Sequence, residues 1–255
     1  MVVRSLIDEV DDVDYTITVV GDGSDPFETL LVDSLAGGPI DVASDPVDAD
    51  ATGFATEAGT AVLLADGVPV ATSPLEELYE SVLAVNSDLF VTGSRGLGEI
   101  DLPDVLAGLS DSRLRLRGYP LADNEKLLLI VLSRYIEQFA WEDGEGTLRS
   151  AFQGLSRLDD EHGTREVYSR LADTDVDVHV YGVADGTTAD LEATVHAGSD
   201  RVYRNSWFVV YRPSSPGNGA ALVCFETDAR VWEGFVTFDA DRVASVEERI
   251  AAALG

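Results

Sequence analysis

Lysine is almost absent from this chain of 255 residues, where Lys126 is the only lysine among 17 basic residues. Against 47 acidic residues they leave a formal net charge of -30 at pH 7. Binding a nucleic-acid duplex requires basic residues clustered on its phosphates, so we expect no nucleic-acid partner. Acidic residues spread along a chain with few lysines are typical of proteins adapted to concentrated salt, which screens their repulsion. We therefore interpret the protein as halophilic and expect it to lose structure in low salt.

Cysteine and histidine are also scarce. The single cysteine, Cys224, excludes an internal disulfide, and the three histidines are too scattered for a zinc-binding spacing. We predict no metal site and assign no cofactor. Because Cys224 lies in the apolar stretch AALVCFE, we expect it to be a small buried core residue.

Long apolar runs are missing as well. The run LLLIVL at residues 127–132 is six residues long, far below the roughly 18 that a membrane-spanning helix needs. The first residues, MVVRSLIDEVDDVDY, lack a basic leader followed by an apolar core, so no signal peptide is predicted. These features predict a cytoplasmic protein without membrane insertion.

Recognisable catalytic motifs are absent from the sequence. The glycine-rich GSRGLG at residues 93–98 has neither the spacing of a dinucleotide-binding turn nor the lysine of a phosphate-binding loop. No GxSxG nucleophile motif occurs. We predict that the protein has no catalytic residues and is not an enzyme. The alternative is an unrecognised enzyme whose carboxylates converge in a pocket with raised pKa values.

The first half of the chain alternates strand-like and helix-like patterns, which predicts an α/β domain over residues 1–100 with a mainly parallel sheet. Asp22, Asp66 and Thr92 stand roughly where a phosphoacceptor receiver domain keeps its aspartates and hydroxyl residue. The paired acids after the first strand and the lysine after the fifth are missing. We interpret this half as at most a degenerate receiver-like domain.

The second half, residues 101–255, has a different pattern. The strand-like segments VDVHVYGV, SWFVVYRP, AALVCFET and GFVTFD are joined by short links and precede a closing helix. This order predicts an α+β domain with a mixed or antiparallel sheet flanked by helices. The helix around LLLIVL should begin at Asp123 or Asn124 and end at Gly144. The next stretch, TLRSAFQGLSRLDDEHGTREVYSRLADT, is predicted to form one or two amphipathic helices.

Three arginines make the densest positive charge in the chain. In RLRLRGY strict alternation places Arg113, Arg115 and Arg117 on one face of a strand. This face is a candidate site for an anion or an acidic partner. In the alternative interpretation, the arginines pair with surrounding carboxylates at a sheet edge.

A second candidate site lies between the long helix and the sheet. Arg134, Glu137 and Trp141 form the polar and aromatic flank of a helix that is otherwise apolar, where a core position would not require a charge. With Trp207 and Trp232 from the predicted sheet, they would line a ligand pocket. The alternative is that the aromatic residues only fill the core.

The second half also carries a family resemblance. The order EKLLLIVLSRYIEQFAW, VHVYG, SWFVVYRP, LVCFE and GFVTFD resembles the DICT sensory domain, named for its occurrence with diguanylate cyclases and two-component systems. The most specific parts are Ser133-Arg134, Ile136-Glu137, Trp207 and Gly234-Phe235. The whole chain resembles the stand-alone form found in halophilic archaea, a signal-transduction regulator.

This resemblance implies sensing rather than catalysis, with a link to light responses suggested for the family. We therefore predict a cytoplasmic regulator that senses a small molecule or a partner and relays the signal through contact with a signalling protein. The alternatives are a protein-interaction scaffold that binds no ligand, and the unrecognised enzyme.

Overall fold

The computed structural model describes most of the chain, and everything below refers to that part. The described residues are 1–11, 13, 15–20, 40–43, 59–84, 101–117, 124–160, 162–185, 192–229 and 231–255. Residues 93–98, Asp22 and Thr92, considered above, lie outside these ranges.

A four-stranded sheet is built from the first part of the chain. Its order is β2-β1-β3-β4, with β1 paired parallel to β2 and antiparallel to β3, and β3 antiparallel to β4. The prediction of a mainly parallel sheet is therefore wrong. For β3 and β4 the physical reason is a two-residue turn at Asp66 and Gly67, both with positive φ, which can join only antiparallel neighbours. The strands are β1 (Tyr15–Val20), β2 (Ile40–Ala43), β3 (Thr60–Ala65) and β4 (Val68–Pro74).

Two helices pack against this first sheet: α2 (Leu75–Ala84) and α3 (Asp104–Ala107). Leu63, Leu78 and Val105 are fully or almost fully buried in their shared core. The backbone N–H of Val105 also donates to the Ser73 hydroxyl over 3.1 Å, which fixes α3 to the end of β4.

A seven-stranded sheet is the framework of the second half. Its order is β5-β11-β10-β9-β6-β7-β8, antiparallel from β5 to β6 and parallel from β6 to β8. The predicted mixed sheet flanked by helices is confirmed. The strands are β5 (Ser112–Arg117), β6 (Glu145–Gly154), β7 (Asp175–Val183), β8 (Thr194–Ala197), β9 (Ser206–Arg212), β10 (Ala220–Asp228) and β11 (Val231–Thr237).

Strand β6 corrects the helical prediction for the stretch that follows Gly144. Leu148 and Arg149 are both buried although they point to opposite faces of the sheet, so β6 lacks the apolar–polar alternation that marks a half-exposed strand. The remainder of that stretch does form helices, as predicted. They are α5 (Arg157–Asp160) and α6 (His162–Ala172).

Helices cover both faces of the large sheet. We call the face under α4 (Asn124–Asp143) and α6 the α4 face, and the face under α1 (Val2–Asp8) and α8 (Ala240–Leu254) the α8 face. A short helix, α7 (Arg201–Asn205), precedes β9. Alternate residues of β9 divide between the faces: Trp207 and Val209 pack towards α4, Phe208 and Val210 towards α8.

The run LLLIVL forms part of the core helix α4. Leu129 and Leu132 are completely buried, and the helix ends at Gly144, whose φ of 68° suits a glycine after the last turn. No helix in the described ranges is long and apolar enough to cross a membrane. Cys224 is buried in β10, as predicted, and burial raises the pKa of its thiol.

The first helix of the chain packs on the second sheet. Helix α1 contacts β10, β11 and α8, and Arg249 of α8 forms two hydrogen bonds with Glu9, at 2.7 and 3.0 Å. The proposed boundary near residue 100 and the receiver-like shape of the first half stay predictions.

Candidate functional site

A pocket of about 40 Å³ lies on the α4 face, where α4, β6, β9, α5 and α6 meet. A water needs about 10–15 Å³ measured in this way, so the pocket has room for a few waters or one small polar group. Five of its ten lining residues are polar or charged, although the pocket lies beneath a core helix. The polar lining residues are Ser133, Arg134, Glu137, Arg157 and Thr164.

Arg134 and Glu137 lie three residues apart on α4 and therefore point to the same side of the helix. Arg134 donates from Nη1 to Glu137 Oε2 at 2.5 Å and from Nη2 to Thr164 Oγ1 at 2.6 Å. Arg134 is 7% exposed and Glu137 is 1% exposed. The ion pair is thus almost fully removed from bulk water, and the hydrogen bond from Arg134 to Thr164 links α4 to the first turn of α6.

Tyr168 completes the surroundings of the Glu137 carboxylate. Its hydroxyl, on the second turn of α6, donates to Glu137 Oε1 over 3.0 Å. Burial and the neighbouring Glu137 charge raise the pKa of Tyr168 well above its usual value, so the phenol keeps its proton and remains a donor. Both carboxylate oxygens of Glu137 therefore have a donor.

The rest of the pocket wall is apolar and includes one tryptophan. The indole N–H of Trp207 donates to the Ser133 hydroxyl over 3.0 Å, which links β9 to α4. The Trp207 ring packs edge-to-face on Trp232, with centroids 5.9 Å apart. Trp207 is therefore placed to report optically on any change in the pocket. The apolar lining residues are Ile130, Ala151, Phe152, Trp207 and Val209.

Arg157 brings a second arginine to the pocket from α5. Its side chain is half-buried, and it makes no hydrogen bond or ion pair with any residue whose side chain is described. It differs in this from Arg134, whose guanidinium is bound to Glu137 and Thr164.

The pocket unites three of the five ligand-binding candidates: Arg134, Glu137 and Trp207. Trp232 lies behind Trp207 and does not line the pocket, and Trp141 packs against the core further along α4. Sequence reasoning missed Arg157 and Thr164. No local signal identified them, because both belong to a segment read only as amphipathic helix, and only the folding of α5 and α6 against α4 brings them to the pocket.

The three candidate arginines of β5 lie on the edge strand of the large sheet. Arg113 pairs with Asp8 at 3.1 Å and approaches Glu233 at 3.8 Å. For this residue the structure favours the interpretation in which the arginines pair with nearby carboxylates. The side chains of Arg115 and Arg117 lie outside the described part of the structure.

The α8 face carries a separate buried ion pair. Arg149 of β6 donates from Nε to Glu247 Oε1 and from Nη1 to the Tyr181 hydroxyl, each at 2.7 Å. Arg212 donates to the other Glu247 oxygen at 3.1 Å and to Glu248 at 3.0 Å. Each of these charges thus has an opposite charge in direct contact.

A pair of histidines lies at the edge of the same face. His179 of β7 and His196 of β8 approach each other at 3.0 Å between Nδ1 and Nε2, and Asp177 holds the other nitrogen of His179 at 3.0 Å. Burial, followed by the charges of His179 and Arg149, lowers the pKa of His196. No group of three or more potential metal ligands is found among the described residues.

The part of the chain that contains the pocket matches a known protein family. Residues 113–227 match the model of DICT, described as the sensory domain in diguanylate cyclases and two-component systems. The chain carries a DICT sensory domain. The match runs from β5 to β10, so every residue that lines the pocket belongs to the DICT domain. No curated protein and no solved structure gives a significant match.

Proposed function

We propose that this protein is a signal-transduction regulator whose DICT domain senses a small molecule in the pocket beneath α4. The observation that supports the proposal is the buried Arg134–Glu137 pair in the wall of a cavity. Burying an ion pair requires removing two charges from water, and apolar residues would make an equally stable core. A charged pair beside a cavity is instead what a binding site needs to orient a ligand.

The packing of α4 suggests how a binding event would be relayed. On one side α4 contacts β6, β9 and β10 together with α6, and it also contacts α2 of the first half. A ligand that binds one position of α4 better than another would shift the population of those positions. A change in the DICT domain would thereby reach the surface of the first half, where a signalling protein could recognise it.

The test uses Trp207 and thermal unfolding together. The full chain is titrated with fractionated metabolite extract in molar KCl, and tryptophan fluorescence and Tm are recorded. A ligand at 100 times its Kd should stabilise the fold by about 2.7 kcal/mol. Trp207→Phe should lose most of the fluorescence response while keeping the thermal response. Trp141→Phe, which changes a tryptophan outside the pocket, should keep both.

The result that would count against the proposal is an extract in which no fraction changes either signal. The suggested link to light has its own test, since a bound chromophore would give the purified protein an absorption band in the visible range. The relay is tested by a pull-down from cell extract with and without ligand, and a partner set unaffected by ligand would contradict it.

A further inference from the structure

The side chains around the pocket do not balance in charge. Arg134 and Glu137 form an ion pair and cancel each other. Arg157 adds a second positive charge, and none of the carboxylates whose side chains are described is in contact with it. The charged residues that line the pocket, Arg134, Glu137 and Arg157, therefore sum to a formal charge of +1 in a protein whose formal net charge is -30. The lining is thus positive by count, although the three residues 159–161 that follow Leu158 in the sequence are acidic.

We infer that the pocket recognises the anionic group of a small molecule, a carboxylate or a phosphate, and that Arg157 is its principal partner. The inference rests on the proposed sensory function and specifies the chemical class of the ligand. Guanidinium groups bind both oxyanions through paired N–H donors, and a partly desolvated pocket strengthens that contact.

Other groups in the wall suit an anion as well. Thr164, in the first turn of α6, brings a hydroxyl to the same wall, where it accepts a hydrogen bond from Arg134. A cavity of about 40 Å³ holds an oxyanion head group but not a whole metabolite. The remainder of the ligand would extend outwards past the rings of Phe152 and Trp207.

A cationic ligand fits the same wall poorly. Its natural partner would be Glu137, but one carboxylate oxygen accepts from Arg134 and the other from Tyr168. A cation would have to displace a buried donor and lie near two guanidinium groups. The existing contacts of Glu137 therefore favour an anion.

The experiment titrates the full chain with inorganic phosphate and, separately, with acetate, at constant ionic strength adjusted with KCl. Trp207 fluorescence is the readout, and acetamide is the neutral counterpart of acetate. We expect a saturable response to at least one anion and none to acetamide. The stronger of the two anions identifies the head group as phosphate-like or carboxylate-like.

Three variants assign the response to Arg157. Arg157→Gln should weaken anion binding at least tenfold, and Arg157→Lys, which keeps the charge but not the paired donors, should weaken it less. Arg170→Gln removes the same charge from a half-buried arginine on α6 that pairs with Glu166, so its affinity should stay within about twofold of wild type. Far-UV circular dichroism and Tm confirm that each variant is folded.

Either of two results overturns the inference: no saturable response to phosphate or acetate, or equal affinities in the wild type and Arg157→Gln. The proposed sensory function is judged separately. If the metabolite titration finds a neutral ligand that binds the wild type and Arg157→Gln equally, the sensory proposal stands and the anionic inference falls. If no fraction and no anion binds, both fall.

Discussion

The two faces of the large sheet each bury an arginine, but they surround it differently. On the α8 face, Arg149 meets Glu247 and Tyr181, and the second arginine, Arg212, meets Glu247 and Glu248. On the α4 face, Arg134 meets Glu137 and Thr164, whereas the second arginine, Arg157, lacks such a partner among the residues whose side chains are described.

This difference separates a structural ion pair from one that borders a site. On the α8 face every arginine of the network is paired with a carboxylate of the protein, and the network joins β6 to α8. No charge of this network is left for a ligand to bind. On the α4 face a cavity adjoins the ion pair and Arg157 has no described carboxylate partner. A ligand in the cavity could supply that partner. Removing a carboxylate should therefore have a different cost on each face.

The largest loss of stability is expected from Leu129→Asp, which disrupts the core packing between α4 and the large sheet. Leu129 is 0% exposed, and its replacement places a carboxylate in the core without any partner. We expect a loss of more than about 4 kcal/mol, enough to unfold the domain. The measurement is far-UV circular dichroism with thermal unfolding in molar KCl. Leu129→Met, of similar volume, should cost less than about 1.5 kcal/mol. A soluble Leu129→Asp protein with a cooperative transition would contradict the core position of α4.

The next effect concerns the α8 face. Glu247→Gln keeps the shape of the side chain but leaves the Arg149 guanidinium buried without its counter-charge, which should cost about 3–5 kcal/mol. Urea unfolding measures the cost. Glu248→Gln is the matched control, since Glu248 is exposed and should contribute less than about 1 kcal/mol. The phosphate response of Trp207 should persist in the folded fraction, because Glu247 lies on the opposite face. Loss of that response would show that the faces are coupled.

A smaller effect is expected from the equivalent change on the α4 face. Glu137→Gln also removes the charge partner of a buried arginine, but the adjoining cavity can admit water or an anion to Arg134. We expect a loss of about 1–3 kcal/mol, below that of Glu247→Gln, and phosphate binding several-fold tighter than in the wild type. Urea unfolding with and without phosphate tests both. If Glu137→Gln lowers the free energy of unfolding as much as Glu247→Gln does, and phosphate restores none of that stability, the proposed difference between the two faces is wrong.

The smallest effect is a dependence on pH at the edge of the α8 face. Because the pKa of His196 is lowered in the folded protein, the unfolded chain binds its proton first as the pH falls. Stability should therefore decrease as pH falls below the unfolded value of about 6.5. His196 contacts His179 and stacks on the ring of Tyr181, and the Arg149 charge also acts on it. Thermal unfolding between pH 7 and 5 should show a shallower decline for His196→Gln than for the wild type, and identical slopes would rule this out.

Some of this molecule could be predicted from its sequence because the signals were local. The helix around LLLIVL, the burial of Cys224 and the closing helix follow from apolar periodicity and end signals within one segment. Arg134 and Glu137 stood out for the same reason, since a charge on a buried helix is a local anomaly.

The wrong and missed predictions concern features that depend on contacts between distant segments of the chain. The pairing of β1 with β3 brings together residues about 45 apart, and strand order of that kind is decided by packing over the whole domain. Strand β6 is buried on both faces, which removes its alternation. Arg157 and Thr164 reach the pocket only through the placement of α5 and α6, so no spacing relative to Arg134 could have indicated them.

Strand β6 lies where the antiparallel part of the large sheet meets its parallel part, and this position affects the exchange of its amide protons. It pairs antiparallel with β9 and parallel with β7, so its amides are enclosed on both sides. Amides of this kind open only in large cooperative events and exchange with solvent slowly. The pairing of β6 with β7 shifts register between Ala151 and Gly154, where Gln153 has a φ of 61°. This shift lies directly beside Phe152 in the pocket wall. A strand whose amides are enclosed on both sides thus shifts register at the place where a ligand would touch it.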